Sequence, residues 1–124
     1  MGSKPDAAQA VSSLAQVNLR TGRPELAEEQ ARQALSLLDG RVDFLDEQGN
    51  AQLVLGRALL ELGRLDESEQ ALAAAEDAFE QLSSRSHRAA AWTAQADLSL
   101  RRGDKDTALK LYRRANEALQ DFSF

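Results

Sequence analysis

Apolar side chains recur along the chain at helical rather than strand spacing. Ala108, Leu111, Tyr112, Ala115, Ala118, Leu119 and Phe122 fall on one helical stripe. Forty positions earlier the same register holds Ser68, Ala71, Leu72, Ala75, Ala78, Phe79 and Leu82, again almost wholly apolar. A further step of 41 gives Ala27, Gln30, Ala31, Ala34, Leu37, Leu38 and Arg41, where Gln30 and Arg41 break the pattern. Terminal repeats are commonly the least regular. A turn glycine precedes each stripe, and Gly22, Gly63 and Gly103 recur at the same two steps. The chain is therefore built on a repeat of period 40–41.

Boundary signals split each repeat into two helices, expected near 5–20, 24–38, 42–62, 66–83, 86–102 and 105–121. Pro5 and Pro24 suit a first helical position, where a missing N–H costs nothing. Asp66 with Glu69 reads as a capping-box variant, and Ser86 as a cap for the helix that carries Trp92. Gly49 and Gly56 fall inside the third helix, and a bend or break is expected at Gly49. Small residues at Ala15, Gly56 and Ala96 allow close helix approach, and Gly22, Gly63 and Gly103 supply the positive φ that ends a helix.

Composition supports an all-α reading. Among 124 residues there are 22 alanines and 20 leucines but only four valines, three threonines and no isoleucine. β-Branched residues are what pleated surfaces prefer, so a sheet is not expected. The net charge of −5 is spread along the chain and leaves no basic footprint for nucleic acid. No apolar run reaches the length of a membrane span, and no signal-peptide pattern opens the chain. The absence of cysteine excludes a disulfide framework and fits a reducing, cytoplasmic compartment.

The chain resembles the tetratricopeptide repeat (TPR) family of helix-turn-helix solenoids. The second repeat carries Leu55-Gly56-Arg57-Ala58, the turn Gly63-Arg64-Leu65-Asp66-Glu67, then Leu72 and Ala75. The third offers Trp92, Ala96, Gly103-Asp104, Ala108, Tyr112 and Ala115, and the first Val11, Leu14, Ala15, Gly22-Arg23-Pro24, Ala27, Ala31 and Ala34. Two features depart from the family pattern: the period exceeds the usual value of about 34 residues, and the closing proline is absent. Long repeats of this kind are similar to the carboxy-terminal sensor regions of bacterial helix-turn-helix transcriptional regulators. The resemblance implies one right-handed superhelical solenoid over residues 1–124, with repeats near 5–41, 42–83 and 84–124.

It also implies a concave groove lined by the first helix of each repeat. Register places Gln9, Ser12, Gln16 and Arg20 there, with Asn50, Leu53, Arg57 and Glu61, and Ala90, Thr93, Asp97 and Arg101. Three arginines against two acids suit an acidic peptide or a chain terminus. The carboxylate clamp of the family's co-chaperones is not expected, because the matching positions are Ser12, Gln16, Val54, Ala90 and Ala94, without lysine or asparagine.

Candidate chemistry is sparse. His87 is the single histidine and reads as an exposed early-turn residue. Asp43, Asp46 and Glu47 lack calcium-loop spacing, and Gly-rich phosphate loops are absent, so neither catalysis nor a metal or cofactor is expected. Trp92 reads as hairpin core. Arg85, Arg88, Arg101, Arg102, Arg113 and Arg114 concentrate positive charge in the last third but scatter around two helices, so nucleic-acid binding is not expected. Leu119, Phe122 and Phe124 extend the last apolar stripe and point to self-association, with a two-fold homodimer the default. Gly2-Ser3 after the initiator points to a domain excised from a longer chain. The expected function is non-enzymatic peptide or protein binding, as a sensor or oligomerisation module of a cytoplasmic bacterial transcriptional regulator. The alternative is a stand-alone adapter that scaffolds a complex.

Overall fold

A computed structural model describes residues 4–39 and 43–120. Six helices follow one another: α1 (Lys4–Arg20), α2 (Pro24–Leu37), α3 (Leu45–Glu61), α4 (Leu65–Gln81), α5 (Arg85–Arg101) and α6 (Lys105–Gln120). No strand occurs among the described residues. The helices pair as antiparallel hairpins α1/α2, α3/α4 and α5/α6. Each hairpin packs on the next through α2 against α3 and α4 against α5. The inner helices also touch, α1 on α3 and α3 on α5, whereas α2 and α4, or α4 and α6, do not. The result is an all-α solenoid with α1, α3 and α5 on its inner row.

Helix length accounts for the long period. Helices α3 and α4 are equally long, and each is followed by a link of three residues. Two such helices with their links make up one full period, so α5 begins in the register of α3. Three of the short links close at glycine. Gly22, Gly63 and Gly103 adopt φ of +81°, +78° and +82°, a conformation that costs residues with a β-carbon. Each is followed by the six-to-one hydrogen bond of a Schellman ending, for example from Arg64 N–H to Leu59 O at 2.9 Å. The link from α4 to α5 has the same geometry with Ser83 at φ +55°.

The third helix begins at Leu45 rather than near 42, and residues 40–42 lie outside those described. It runs unbroken through Gly49, contrary to the bend expected there. The reason is packing. A β-carbon on Gly49 would overlap the ring of Phe79, with Cδ1 at 2.7 Å, and one on Gly56 would overlap Leu72, with Cγ at 2.7 Å. Both glycines let α4 close on α3, and tertiary contact offsets their low helix propensity. Ser68, fully buried at the same crossing, donates its Oγ–H to Gly56 O at 2.7 Å. Ala15 and Ala96 occupy the register of Gly56 in the other hairpins, and both are fully buried.

Two expected caps are displaced. Arg64, not Asp66, precedes α4, and Asp66 instead pairs with Arg102 Nη2 at 2.8 Å. Ser84, not Ser86, precedes α5, and its hydroxyl meets His87 Nδ1 at 2.6 Å. His87 is half-buried, its ring centroid 4.9 Å from that of Phe79, so it is not the exposed residue expected.

Candidate functional site

The inner row forms a concave groove of about 760 Å³ between α1, α3 and α5. Its apolar floor comes from Leu19, Leu53, Val54, Leu60 and Leu100, and its polar wall from Gln16, Arg20, Arg57, Glu61, Asp97 and Arg101. These six polar residues are all groove positions expected from the repeat register. Asn50 lies apart, in a small polar recess with Gln9, Ser12, Ser13, Gln16, Asp46 and Glu47. Thr93 donates its hydroxyl to Ala89 O at 2.9 Å and does not line the groove.

The charges along the wall are unequally matched. Arg57 Nη1 pairs with Asp97 Oδ2 at 3.4 Å, and both side chains are about one-third exposed. The other Asp97 oxygen accepts a hydrogen bond from Tyr112 Oη, which carries the contact across to α6. That bond, aided by burial, pushes the Tyr112 phenol up to about 12. Asp97 is thus committed twice. Arg101 Nη1 donates only to a backbone carbonyl, Leu60 O, at 3.2 Å. Arg20 and Glu61 make no hydrogen bond or ion pair among the described residues. Two guanidinium groups, Arg20 and Arg101, therefore face the groove without a carboxylate partner.

Tyr112 is the site residue that the pattern of the chain concealed. Its place on the apolar stripe marks it as core, and nothing in the spacing indicates that its hydroxyl reaches Asp97. In the recess, Glu47 is raised chiefly by its hydrogen bond to Asp46, and Asp46 is lowered by the same bond. Among the described residues no group of His, Cys, Asp or Glu is arranged to hold a metal ion.

Trp92 is buried, and its Nε1–H donates to Glu76 Oε2 at 2.7 Å. Arg88 and Arg114 stack on the indole, 4.9 and 5.3 Å from its centroid. Arg102 bridges Asp66 and Glu69. Arg88 and Arg114 thus serve ring stacking, Arg102 ion pairs and Arg101 the groove. Leu119 is half-exposed on α6, and Phe122 and Phe124 lie outside the described residues.

The tetratricopeptide-repeat model matches residues 2–42, 41–83 and 53–121. The chain belongs to the tetratricopeptide-repeat family. Its fold is similar to the crystal structure of the TPR domain of Arabidopsis FLU, at 25% identity and a TM-score of 0.83. That match covers 95% of this chain and 98% of the other. No curated protein matches the sequence. TPR domains are in general protein–protein interaction modules and typically non-catalytic. No helix among the described residues is long and apolar enough to cross a membrane.

Proposed function

We propose that this TPR chain is a non-enzymatic binding module whose inner groove takes an acidic peptide segment or a free carboxyl terminus of a partner protein. The observation that carries this reading is the pair Arg20 and Arg101, which flank an apolar floor without carboxylate partners. A carboxylate can accept two parallel N–H bonds from a guanidinium, and leucines below it can seat an adjacent apolar side chain. Arg57 serves instead to hold Asp97.

We infer from the resemblance of these long repeats to the sensor regions of bacterial transcriptional regulators that the module serves a cytoplasmic regulator of that kind, as its sensor or oligomerisation part. The Arg57–Asp97–Tyr112 chain favours the second reading, an adapter. It links α3, α5 and α6 through side-chain contacts.

The test is selection from a displayed library of peptides with free carboxyl termini, followed by calorimetry on the purified chain. Acidic peptides should be enriched, and Arg20→Ala/Arg101→Ala should weaken them at least tenfold. Unchanged affinity in that variant overturns the groove reading. A ligand-dependent change in the oligomeric state or DNA affinity of the natural protein would favour the sensor, and constitutive partner binding the adapter.

A further inference from the structure

The two ends of the solenoid present faces that the chain already packs against each other internally. Between the first and second hairpins, Ala34 of α2 and Leu38 just beyond it share a cluster with Ala51 of α3, and Ala31 shares one with Leu55. Between the second and third, Ala75 and Phe79 of α4 meet Ala91 of α5, and Leu72 meets Ala94 and Leu98. One repeat further on, the outgoing positions are Tyr112, Ala115 and Leu119 on α6. One repeat further back, the incoming positions are Ala10, Ser13, Leu14 and Val17 on α1.

Inside the chain most residues in these registers are buried, Gln95 in the register of Leu14 being a half-buried exception that donates to Glu76 Oε1 at 3.1 Å. Leu38 and Phe79 are 1% and 0% exposed, whereas Leu119 is 49% exposed. Leu55 and Leu98 are likewise buried, whereas Leu14 and Val17 are each 54% exposed. The exposed leucine and valine of α1 match in register what the far end would need.

Charge distinguishes the ways in which two copies could meet. Residues 84–124 carry eight basic and five acidic side chains, residues 42–83 two and ten, and residues 1–41 five and five. The acidic excess thus sits in the second repeat and is not spread evenly along the chain. A two-fold contact through α6 would set two positive repeats face to face. A head-to-tail contact sets the positive repeat of one copy against the neutral first repeat of the next, with the acidic repeat behind it.

We infer that the chain stacks head to tail on a second copy, α6 of one seating α1 of the next and extending the α2/α3 and α4/α5 interface across molecules. The surface is separate from the groove. The contact is heterologous and does not close on itself, so it generates open chains of copies rather than a dimer.

Two variants at exposed positions test this, with circular dichroism to confirm that their helices persist. Leu14→Glu/Val17→Glu closes the α1 face, and Leu119→Glu closes the α6 face. In sedimentation velocity from micromolar to millimolar, the unaltered chain should climb past twice 13.5 kDa without a plateau. Each variant alone should remain a monomer, and their equimolar mixture should form a one-to-one pair. The inference is overturned if the unaltered chain stays monomeric or stops at a dimer. It also fails if either variant still self-associates, or if the mixture does not pair.

Discussion

The ring of Phe79 fills the space that a side chain on Gly49 would need, its Cδ1 and Cζ 2.7 and 2.9 Å from the β-carbon position. The first hairpin solves the same crossing differently, with Ala8 and Leu38 packed in one cluster at the equivalent register. A glycine with a phenylalanine and an alanine with a leucine are alternative ways to fill one gap. Gly49→Ala alone should destabilise the chain by about 1–3 kcal/mol through overpacking. Adding Phe79→Leu recreates the pair of the first hairpin and should recover most of that loss. Urea denaturation of both variants checks this, and an equal loss in the double variant would refute it.

Ser83 is the described non-glycine residue with positive φ, at +55°. The three equivalent links of the fold place glycine there. A left-handed conformation costs a residue with a β-carbon on the order of 1–2 kcal/mol, and the greater freedom of glycine in the unfolded chain offsets part of that. Ser83→Gly should therefore stabilise by up to about 1 kcal/mol. A rise in the urea midpoint is the expected reading.

Tyr112 is the single tyrosine, so its ionisation can be followed by ultraviolet absorbance without interference from another phenol. Its folded pKa is raised to about 12 from 10.0, first by the hydrogen bond to Asp97. The associated stabilisation is complete below the unfolded value of 10.0 and is lost as pH rises towards 12. Asp97→Asn should bring the titration down towards 10.0, the ordinary value for the phenol. A curve that does not move would show that the contact with Asp97 is not made in solution.

Asp104 caps α6 by accepting a hydrogen bond from the Thr107 N–H at 3.1 Å. The contacts with Thr107 lower its pKa below the ordinary 3.8. A lowered carboxylate contributes stability above the unfolded value that disappears as pH falls through the folded one. Asp104→Ala should lower the melting temperature near neutral pH. The gap from the unaltered chain should shrink as pH falls below 3.8. Thermal melts across that range provide the check.

The helices are legible in the sequence because apolar residues recur with helical spacing in three copies, and because glycine marks three of the links. The α4–α5 link carries no such mark, since serine gives no signal of a left-handed turn. Gly49 points to a bend because propensity is local, while the ring that supports it belongs to the neighbouring helix α4. Six polar residues of the groove follow from register, since residues one repeat apart such as Arg57 and Asp97 stand side by side on the inner row, whereas Asn50 and Thr93, named by the same register, lie off it. What register does not supply is which charges cancel. Arg57 and Asp97 satisfy each other, and only the assembled groove separates them from Arg20 and Arg101.

The most direct test of groove binding is amide chemical-shift mapping of the labelled chain with an acidic peptide bearing a free carboxyl terminus. The expected shifts cluster at Gln16, Arg20, Leu53, Glu61, Leu100 and Arg101, and vanish when that terminus is amidated and the acids are replaced. Shifts confined to the outer helices α2, α4 and α6 would contradict it.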